Sequence, residues 1–228
     1  MGGTAASKRR IVVLASGSGS NLQAVIDACR SGRIDGSVVH VVSDRADAFA
    51  LRRAADASIG FSHLPRIDGE TRPTYDGRLA DVVEAAGAEL VVLAGWMRIL
   101  TMNFLGRFPG RVLNLHPGLP GELPGTDAIG RAWEQSRRGE RDRTGVMVHL
   151  VPDEGVDDGP VLGEAVVAIN ADDTFDSLTE RVHAAEHDLL VEVLAELCSK
   201  RSPAAQAACN RSFAGAQSLA SEKGPRHP

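Results

Sequence analysis

Short apolar segments of strand length alternate with helical segments along most of this chain. The first, residues 10–15, is almost wholly apolar, which is typical of a strand buried on both faces of a parallel sheet. Further strands are predicted at residues 38–42, 59–64, 90–94, 112–116, 145–151 and 161–169, with helices at 22–29, 47–57, 74–86, 127–137 and 174–197. This alternation predicts an α/β fold with a doubly wound, mostly parallel sheet and helices on both faces.

The length and composition indicate a single domain. A chain of 228 residues with 43% hydrophobic content can bury one sizeable core. We expect this domain over residues 10–198, after a flexible lead-in at residues 1–9. From residue 199 to residue 228 the chain is rich in Ala, Ser, Gly and Pro without periodicity, which predicts a mobile tail.

Charge and apolar patterning argue against several kinds of partner. The net charge is -5 and no basic run exceeds Lys8-Arg9-Arg10, so we expect no nucleic-acid or anionic-membrane partner. There is no apolar run of about 18 residues and no secretory signal, which predicts a cytoplasmic protein with small-molecule substrates. The three cysteines are scattered and the histidines lack ligand spacing, so no metal site is expected.

An amide and an imidazole end the apolar strand at residues 112–116. Strand alternation puts Asn114 and His116 on the same side, and Pro117 then ends the strand. In an open α/β sheet the carboxyl ends of strands border the ligand crevice. Two such donors suit an oxyanion that forms during acyl or formyl transfer. The alternative is that Asn114 caps a loop and His116 is an ordinary packed histidine.

A glycine- and serine-rich loop joins the first strand to the first helix. Residues 16–21 read Ser-Gly-Ser-Gly-Ser-Asn, and the helix that follows is predicted to have Ser20 or Asn21 as its N-cap. Backbone N–H groups at a helix N-terminus attract anions, and the helix dipole adds to the attraction. The loop therefore predicts a phosphate site.

The loops after strands one, four and five should meet at one edge of the sheet. Right-handed crossovers bring together the glycine loop, Gly95-Trp96-Met97-Arg98, and the Asn114 and His116 pair. An arginine just beyond a buried strand is either solvated or holds an anionic or amide ligand, and the cleft favours the ligand for Arg98. The strand histidines His40, His63 and His149 are interpreted as packed or surface residues.

Five stretches match motifs of one enzyme family across residues 10–197. They are Ala15-Ser16-Gly17-Ser18-Gly19-Ser20-Asn21-Leu22-Gln23-Ala24, Leu93-Ala94-Gly95-Trp96-Met97-Arg98-Ile99-Leu100, Asn114-Leu115-His116-Pro117, Val156-Asp157-Asp158-Gly159-Pro160 and Glu186-His187. The chain thereby resembles the folate-dependent phosphoribosylglycinamide formyltransferases of purine biosynthesis. Asn-x-His-Pro with a later Asp marks the wider formyltransferase superfamily, and the phosphate loop is the more specific motif.

The resemblance implies a formyltransferase fold with about seven strands and a Rossmann-like N-terminal half. It implies that Asn114, His116 and Asp157 are catalytic. It assigns the ribonucleotide and its phosphate to Gly19, Ser20, Asn21, Leu22, His183 and Glu186. It assigns the folate to Arg72, Met97, Arg98, Ile99, Leu100, Asn114, Asp153, Glu154, Gly155 and Val156, although Asp153 and Glu154 taken alone are typical of a solvated turn.

The implied reaction moves a formyl group from 10-formyltetrahydrofolate, a co-substrate, to the amine of glycinamide ribonucleotide, without a metal. Asn114 and His116 would donate to the oxyanion that forms. Asp157 is expected to raise the pKa of His116 and to hold a water that relays the amine proton. A monomer and a homodimer are both compatible with the sequence.

This chain departs from the family at several positions near the implied site. The family usually has His-Pro-Ser-Leu-Leu-Pro where this chain has His116-Pro117-Gly118-Leu119-Pro120-Gly121, followed by Glu122-Leu123 in place of a basic and aromatic pair. Met147 stands where a small hydroxyl residue is typical, and Asp127 where His is common. An impaired or respecialised enzyme is therefore an alternative.

Other functions compete with this interpretation. Gly17-x-Gly19 with Asp44 superficially fits a dinucleotide-binding fingerprint, but Leu22 occupies the third glycine position. Within the enzyme class the alternatives are formyltransferases acting on a sugar nucleotide or initiator tRNA, and a formyltetrahydrofolate hydrolase. The tRNA enzyme and the hydrolase resemble longer chains with an added domain.

Overall fold

The computed structural model describes residues 8–199. Apart from Ser199, the predicted tail lies outside these residues, as does most of the predicted lead-in. The strands are β1 (Arg9–Leu14), β2 (Gly36–Ser43), β3 (Gly60–His63), β4 (Leu90–Leu93), β5 (Val112–His116), β6 (Arg143–Leu150) and β7 (Val161–Ala168). The helices are α1 (Ser20–Ser31), α2 (Phe49–Asp56), α3 (Arg72–Ala85), α4 (Met102–Leu105), α5 (Ala128–Arg137) and α6 (Phe175–Ser199).

The strands form one seven-stranded sheet in the order β3-β2-β1-β4-β5-β6-β7. The five strands from β3 to β5 in that order are parallel, while β6 pairs antiparallel with both β5 and β7. The chain order reverses between β1 and β4, which is where ligands bind in open α/β sheets. The predicted doubly wound, mostly parallel α/β sheet is confirmed.

The two faces of the sheet are covered by different helices. Along β1, Ile11 and Val13 pack into one cluster with α1, α2, α5 and α6, whereas Val12 and Leu14 pack into the other with α3 and α4. All four side chains are fully buried. This explains why β1 is a continuous apolar run rather than an alternating one, since neither of its faces meets water.

Several local expectations are corrected by the structure. The N-cap of α1 is Gly19 in a left-handed conformation with φ 68°, so the prediction of Ser20 or Asn21 was wrong. Glycine reaches positive φ without the steric cost that a Cβ imposes. Strand β1 begins at Arg9, one residue inside the predicted lead-in, and α4 was not predicted.

A reciprocal pair of hydrogen bonds caps the start of α6. Thr174 Oγ1 accepts a hydrogen bond from the Ser177 N–H at 3.1 Å, and Ser177 Oγ accepts one from the Thr174 N–H at 3.0 Å. This reciprocal pair satisfies donors that the first helical turn leaves free.

None of the helices within residues 8–199 combines the length and apolarity that crossing a membrane requires.

Candidate active site

A cavity of about 550 Å³ opens at the carboxyl ends of β1, β4 and β5. Hydrogen bonds from the Ser16 N–H to the Gly95 carbonyl (3.0 Å) and from the Met97 N–H to Ser16 Oγ (3.2 Å) tie the first two loops together. Asn114 and His116 lie on the wall formed by β5. The predicted meeting of these three loops at one edge of the sheet is confirmed.

The structure brings Asn114, His116 and Asp157 into one contact cluster. Asn114 Nδ2 donates to Asp157 Oδ1 at 2.9 Å, and His116 Nδ1 lies 3.2 Å from Asp157 Oδ2. The backbone N–H of Gly125 donates to Asp157 Oδ2 at 2.8 Å. On its far side the His116 ring donates from Nε2 to the Leu123 carbonyl at 3.0 Å. Asp157 therefore contacts both predicted donors, and the loop at 117–125 closes against the imidazole.

A fourth member of this cluster, His149, was missed by the sequence analysis. It is buried, as expected, but it lies directly opposite Asn114 in the antiparallel pairing of β5 with β6. Asn114 Nδ2 donates to His149 Nε2 at 3.1 Å, and His149 Nδ1 donates to the Leu150 carbonyl at 2.8 Å. His149 Nε2 also lies 3.5 Å from Asp157 Oδ1, so the ring borders both the amide and the carboxylate of the cluster. Its position two residues before the end of an apolar strand was the signal available in the sequence.

The expected net rise in the pKa of His116 is wrong, although Asp157 does act in the expected direction. Burial lowers the pKa of this imidazole below its ordinary value, and it outweighs the opposing effect of the Asp157 carboxylate, which raises it. The side chain of His116 is only 4% exposed. The pKa of Asp157 is lowered although its burial alone would raise it, because His149, the Gly125 N–H and His116 all favour the carboxylate. An ionised Asp157 thus lies beside an imidazole that resists protonation.

The predicted phosphate loop lines the opposite end of the cavity. Gly19, Ser20 and Asn21 are lining residues, whereas the side chain of Leu22 is fully buried in the core. Within residues 8–199, the backbone N–H groups of Ser20, Asn21 and Leu22 donate to no protein acceptor. Three free donors at a helix N-terminus are suited to an anion. Leu22 can contribute to such a site only through its backbone.

Glu186 and His183 reach this end of the cavity from α6. Glu186 Oε2 accepts a hydrogen bond from Asn21 Nδ2 at 3.2 Å, which joins α6 to the phosphate loop. Burial raises the pKa of Glu186, while the Asn21 amide and His183 act in the opposite direction. His183 is exposed at the rim. The structure therefore brings together all the side chains assigned to the ribonucleotide except that of Leu22.

The predicted folate wall is apolar and partly exposed. Met97 is 66% exposed and Ile99 45%, while Leu100 is buried behind them. All three line the cavity, as does Arg98. The Arg98 guanidinium already has a partner, because its Nε donates to Asp44 Oδ2 at 2.7 Å and its Cζ lies 5.3 Å from the centre of the Tyr75 ring. Asp44 is thereby committed within the chain, which argues against its use by a dinucleotide ribose.

The acidic loop before Asp157 is divided between cavity and surface. Asp153, Gly155 and Val156 line the cavity, and Asp153 Oδ1 accepts a hydrogen bond from the Gly155 N–H at 2.9 Å. Glu154 points elsewhere, since its Oε1 accepts from the N–H of Met102 at the start of α4, at 3.1 Å. Arg72 is exposed at the start of α3. Neither Glu154 nor Arg72 lines the cavity.

The departures from the family pattern have specific positions around His116. A Cβ on Gly118 would lie 2.7 Å from His116 Nε2 and 2.9 Å from the Glu122 carbonyl, so the ring is packed directly against this glycine. Met147 is buried opposite His116 in the pairing of β5 with β6. Gly121 and Asp127 both have positive φ, and Asp127 lines the cavity. The loop geometry therefore depends on residues that differ from the usual motif.

Within the described residues, no group of three or more His, Cys, Asp or Glu side chains is arranged to hold a metal ion. Cys29 and Cys198 are buried free thiols, and the third cysteine lies outside the described residues.

Comparison with known proteins gives consistent results. The sequence profile of the formyl transferase family matches residues 9–194. The chain is 44% identical over 177 residues to phosphoribosylglycinamide formyltransferase of Escherichia coli (strain K12), covering 78% of this chain and 81% of that protein. It is 41% identical over 192 residues to the trifunctional purine biosynthetic protein adenosine-3 of Drosophila melanogaster, covering 83% of this chain and 14% of that one.

A solved structure gives the same grouping. The crystal structure of glycinamide ribonucleotide transformylase 1 from Symbiobacterium toebii superposes with a TM-score of 0.80 at 40% identity, covering 86% of this chain and 91% of that one. The shared fold and the shared sequence thus extend over most of both chains. The chain belongs to the formyl transferase family.

Proposed function

We propose that this protein is a phosphoribosylglycinamide formyltransferase of purine biosynthesis. It transfers the formyl group of 10-formyltetrahydrofolate to the amine of glycinamide ribonucleotide. The observation that carries the proposal is that one cavity joins an open anion site at the start of α1 to the cluster of Asn114, His116 and Asp157. Relatives that match most of this chain are named for the same reaction, which supports the same substrates.

The ribonucleotide is proposed to lie with its phosphate on the free N–H groups of Ser20, Asn21 and Leu22. Glu186 then accepts hydrogen bonds from the ribose hydroxyls, because its carboxylate is held beside the loop by Asn21. This arrangement directs the glycinamide amine along the cavity towards β5. The phosphate end thus serves to orient the amine, which lowers the entropic barrier to attack.

The folate is proposed to lie against the apolar wall of Met97, Ile99 and Leu100. An apolar surface with a few polar groups at its edge suits a flat heteroaromatic ring. Asp153 and the backbone at Gly155 and Val156 supply those polar groups on the opposite side. Arg72 does not line the cavity. It can therefore contact only a part of the folate that projects out of the cavity.

The proposed reaction begins when the lone pair of the amine forms a bond to the formyl carbon. The carbonyl π electrons move to oxygen, which gives a tetrahedral carbon with an oxyanion. Asn114 and His116 donate to this oxyanion, and their hydrogen bonds strengthen as its charge develops. One amine proton then passes to N10 of the folate through Asp157 or a water that it holds. The oxyanion then re-forms the carbonyl as the bond between carbon and N10 breaks, with its electron pair going to N10, and the products are formylglycinamide ribonucleotide and tetrahydrofolate.

The hydrogen bonding of His116 is compatible with this role. The imidazole carries a proton on Nε2, as the hydrogen bond to the Leu123 carbonyl requires, and this N–H can donate to an oxyanion. In the free protein that donor is engaged by Leu123, and the Asn114 amide is engaged by Asp157 and His149. Binding of the substrate oxygen therefore replaces hydrogen bonds within the chain rather than filling vacant ones.

The decisive test is a reconstituted reaction with purified full-length protein. Glycinamide ribonucleotide and 10-formyltetrahydrofolate should give equal amounts of formylglycinamide ribonucleotide and tetrahydrofolate, measured by mass spectrometry. Asp158→Asn is the matched control for Asp157→Asn, because Asp158 is exposed and does not line the cavity. Formate release without the ribonucleotide, or preferential formylation of a sugar nucleotide, would instead identify a hydrolase or a different transferase.

A further inference from the structure

The phosphate loop is held from behind by α2. The Gly17 carbonyl accepts a hydrogen bond from the Ala50 N–H at 3.1 Å. The next carbonyl, that of Ser18, accepts one from Arg53 Nε at 2.9 Å. Two consecutive carbonyl groups of the loop are therefore directed away from the cavity and towards one helix.

The direction of these carbonyls matters for the other face of the loop. If the Ser18 carbonyl turned inward, its negative end would face the same space as the free N–H groups of Ser20 and Asn21 and would repel an anion. Gly19 allows the reversal, because it adopts φ 68°, and its packing leaves no room for a side chain. A Cβ there would lie 2.8 Å from both Cα and Cβ of Ala50.

Arg53 also reaches the first turn of α1. Its NH1 donates to Gln23 Oε1 at 3.2 Å, while its Nε holds the Ser18 carbonyl. The guanidinium is supported by the Phe49 ring, whose centre lies 4.9 Å from Cζ. A planar guanidinium can satisfy two acceptors at once, which a lysine ammonium at the same place does less well. The side chain is half-buried and does not line the cavity.

We propose that Arg53 is a positioning residue for the phosphate of the ribonucleotide. It acts without touching the ligand, by fixing the Ser18 carbonyl outward and by tying the loop to the first turn of α1. Its positive charge, a few ångströms behind the loop, further favours a dianion. This inference rests on the proposed function, since it assigns a residue to the phosphate subsite of that reaction.

The test compares Arg53→Ala and Arg53→Lys with the matched control Arg52→Ala. Arg52 is adjacent on α2, but its exposed guanidinium pairs with Asp56 through Nε at 3.1 Å on the surface. We expect Arg53→Ala to raise KM for the ribonucleotide and the Kd of ribose 5-phosphate by about tenfold. We expect KM for the folate and kcat to stay within about twofold of the unmodified protein. Arg53→Lys should recover part of the loss, and Arg52→Ala should have no effect.

Two outcomes would overturn the inference while leaving the proposed function intact. In the first, the unmodified protein transfers the formyl group, but the Arg53→Ala and Arg52→Ala variants bind ribose 5-phosphate with equal affinity. The other is an equal change of KM for both substrates together with a lower Tm, which would indicate a purely structural residue. Failure of the unmodified protein to formylate the ribonucleotide would contradict the proposed function, whereas calorimetry with ribose 5-phosphate would still decide whether Arg53 organises an anion site.

Discussion

At one end of the cavity the hydrogen-bond donors point into open space, whereas at the other end they already have acceptors within the chain. The N–H groups of Ser20 and Asn21 have no protein acceptor among residues 8–199. By contrast, Asn114 donates to Asp157 and His149, and His116 donates to Leu123. The first end, here called the open end, has free donors for an anion that is present throughout the reaction. At the second end, here called the closed end, a substrate oxygen must compete with acceptors of the chain for each donor.

This difference assigns different energetic tasks to the two ends. Donors that are fixed and free bind the phosphate equally in the ground state and the transition state, so their loss should appear mainly in KM. Donors that must first leave acceptors within the chain form their strongest hydrogen bonds when the competing substrate oxygen is fully charged. Their loss should therefore appear mainly in kcat. Substitutions at the two ends should separate these two parameters.

The largest effect is expected from Asp157→Asn at the closed end. An amide cannot accept from both Asn114 and Gly125 as the carboxylate does, so both the relay of the proton and the placement of the donors should suffer. We expect kcat to fall by about a hundredfold to a thousandfold, with the affinity for ribose 5-phosphate unchanged. Steady-state kinetics and calorimetry would measure the two quantities separately.

The same variant has an internal control and a partner for a double-mutant cycle. Asp158→Asn should be mild, and the double variant Asp157→Asn with His116→Asn should be little worse than either single change, because the residues act as a unit. Losses that multiply fully would show that Asp157 and His116 act independently. A defect confined to Asp158 would show that the wrong aspartate was assigned.

A smaller effect, at the open end, is expected from Gly19→Ala. The added Cβ would lie 2.8 Å from Ala50 at a residue with φ 68°, so the loop must shift. We expect KM for the ribonucleotide to rise at least about tenfold, with KM for the folate unchanged. Gly77→Ala is the control, since a Cβ there meets nothing within 4 Å and Gly77 does not line the cavity. Equal changes in both KM values would mean that the loop does not bind the phosphate.

The sequence predicted which loops meet because that depends on local pattern and on a general rule of topology. Each buried strand is a visible apolar run, and parallel strands with right-handed crossovers place their carboxyl ends together. Asn114 and the glycine loop were therefore placed correctly without any knowledge of side-chain contacts. The family motif then added Asp157, which the pattern alone treats as one of several acidic residues in a turn.

What the sequence missed depends on tertiary pairing and burial. His149 joins the site only because β6 pairs antiparallel with β5 in a register that sets it opposite Asn114. The partner of Arg98 is Asp44, which is 54 positions away. The pKa of His116 depends on a balance between burial and a carboxylate that no local pattern reports. Long-range contacts of this kind leave no periodic trace in a single sequence.

A smaller and more localised effect is expected from Arg98→Ala on the apolar wall. Loss of the guanidinium should weaken binding of a folate analogue several-fold while leaving ribose 5-phosphate binding unchanged. It also leaves Asp44, whose side chain is only 7% exposed, without its partner. An unpaired buried carboxylate is destabilising, so Tm should fall as well.

The double variant Arg98→Ala with Asp44→Asn separates these two consequences. Removing the unpaired charge should restore most of the Tm, whereas folate affinity should stay low if Arg98 itself shapes the wall. Recovery of both properties together would show that Arg98 contributes only through the stability of the pair. A loss of ribose 5-phosphate binding in either variant would reverse the assignment of the two ends.

The smallest effect concerns the pH dependence of stability at the closed end. The pKa of His116 is lowered in the folded protein, mainly by burial. As the pH falls below about 6.5, the imidazole therefore binds a proton more readily in the unfolded chain than in the folded protein. The free energy of unfolding should therefore decrease as the pH falls from 7.5 to 5.5. We expect Tm to fall by a few degrees, since about 1 kcal/mol corresponds to roughly 2–4 °C at this size.

His116→Asn should reduce this dependence of Tm on pH, that is, its slope. Asp157→Asn should steepen it, because the carboxylate is the group that raises the pKa of His116, and its own titration lies at lower pH. A slope that Asp157→Asn flattens would mean that His116 is charged in the folded protein and that the closed end is held by an ion pair.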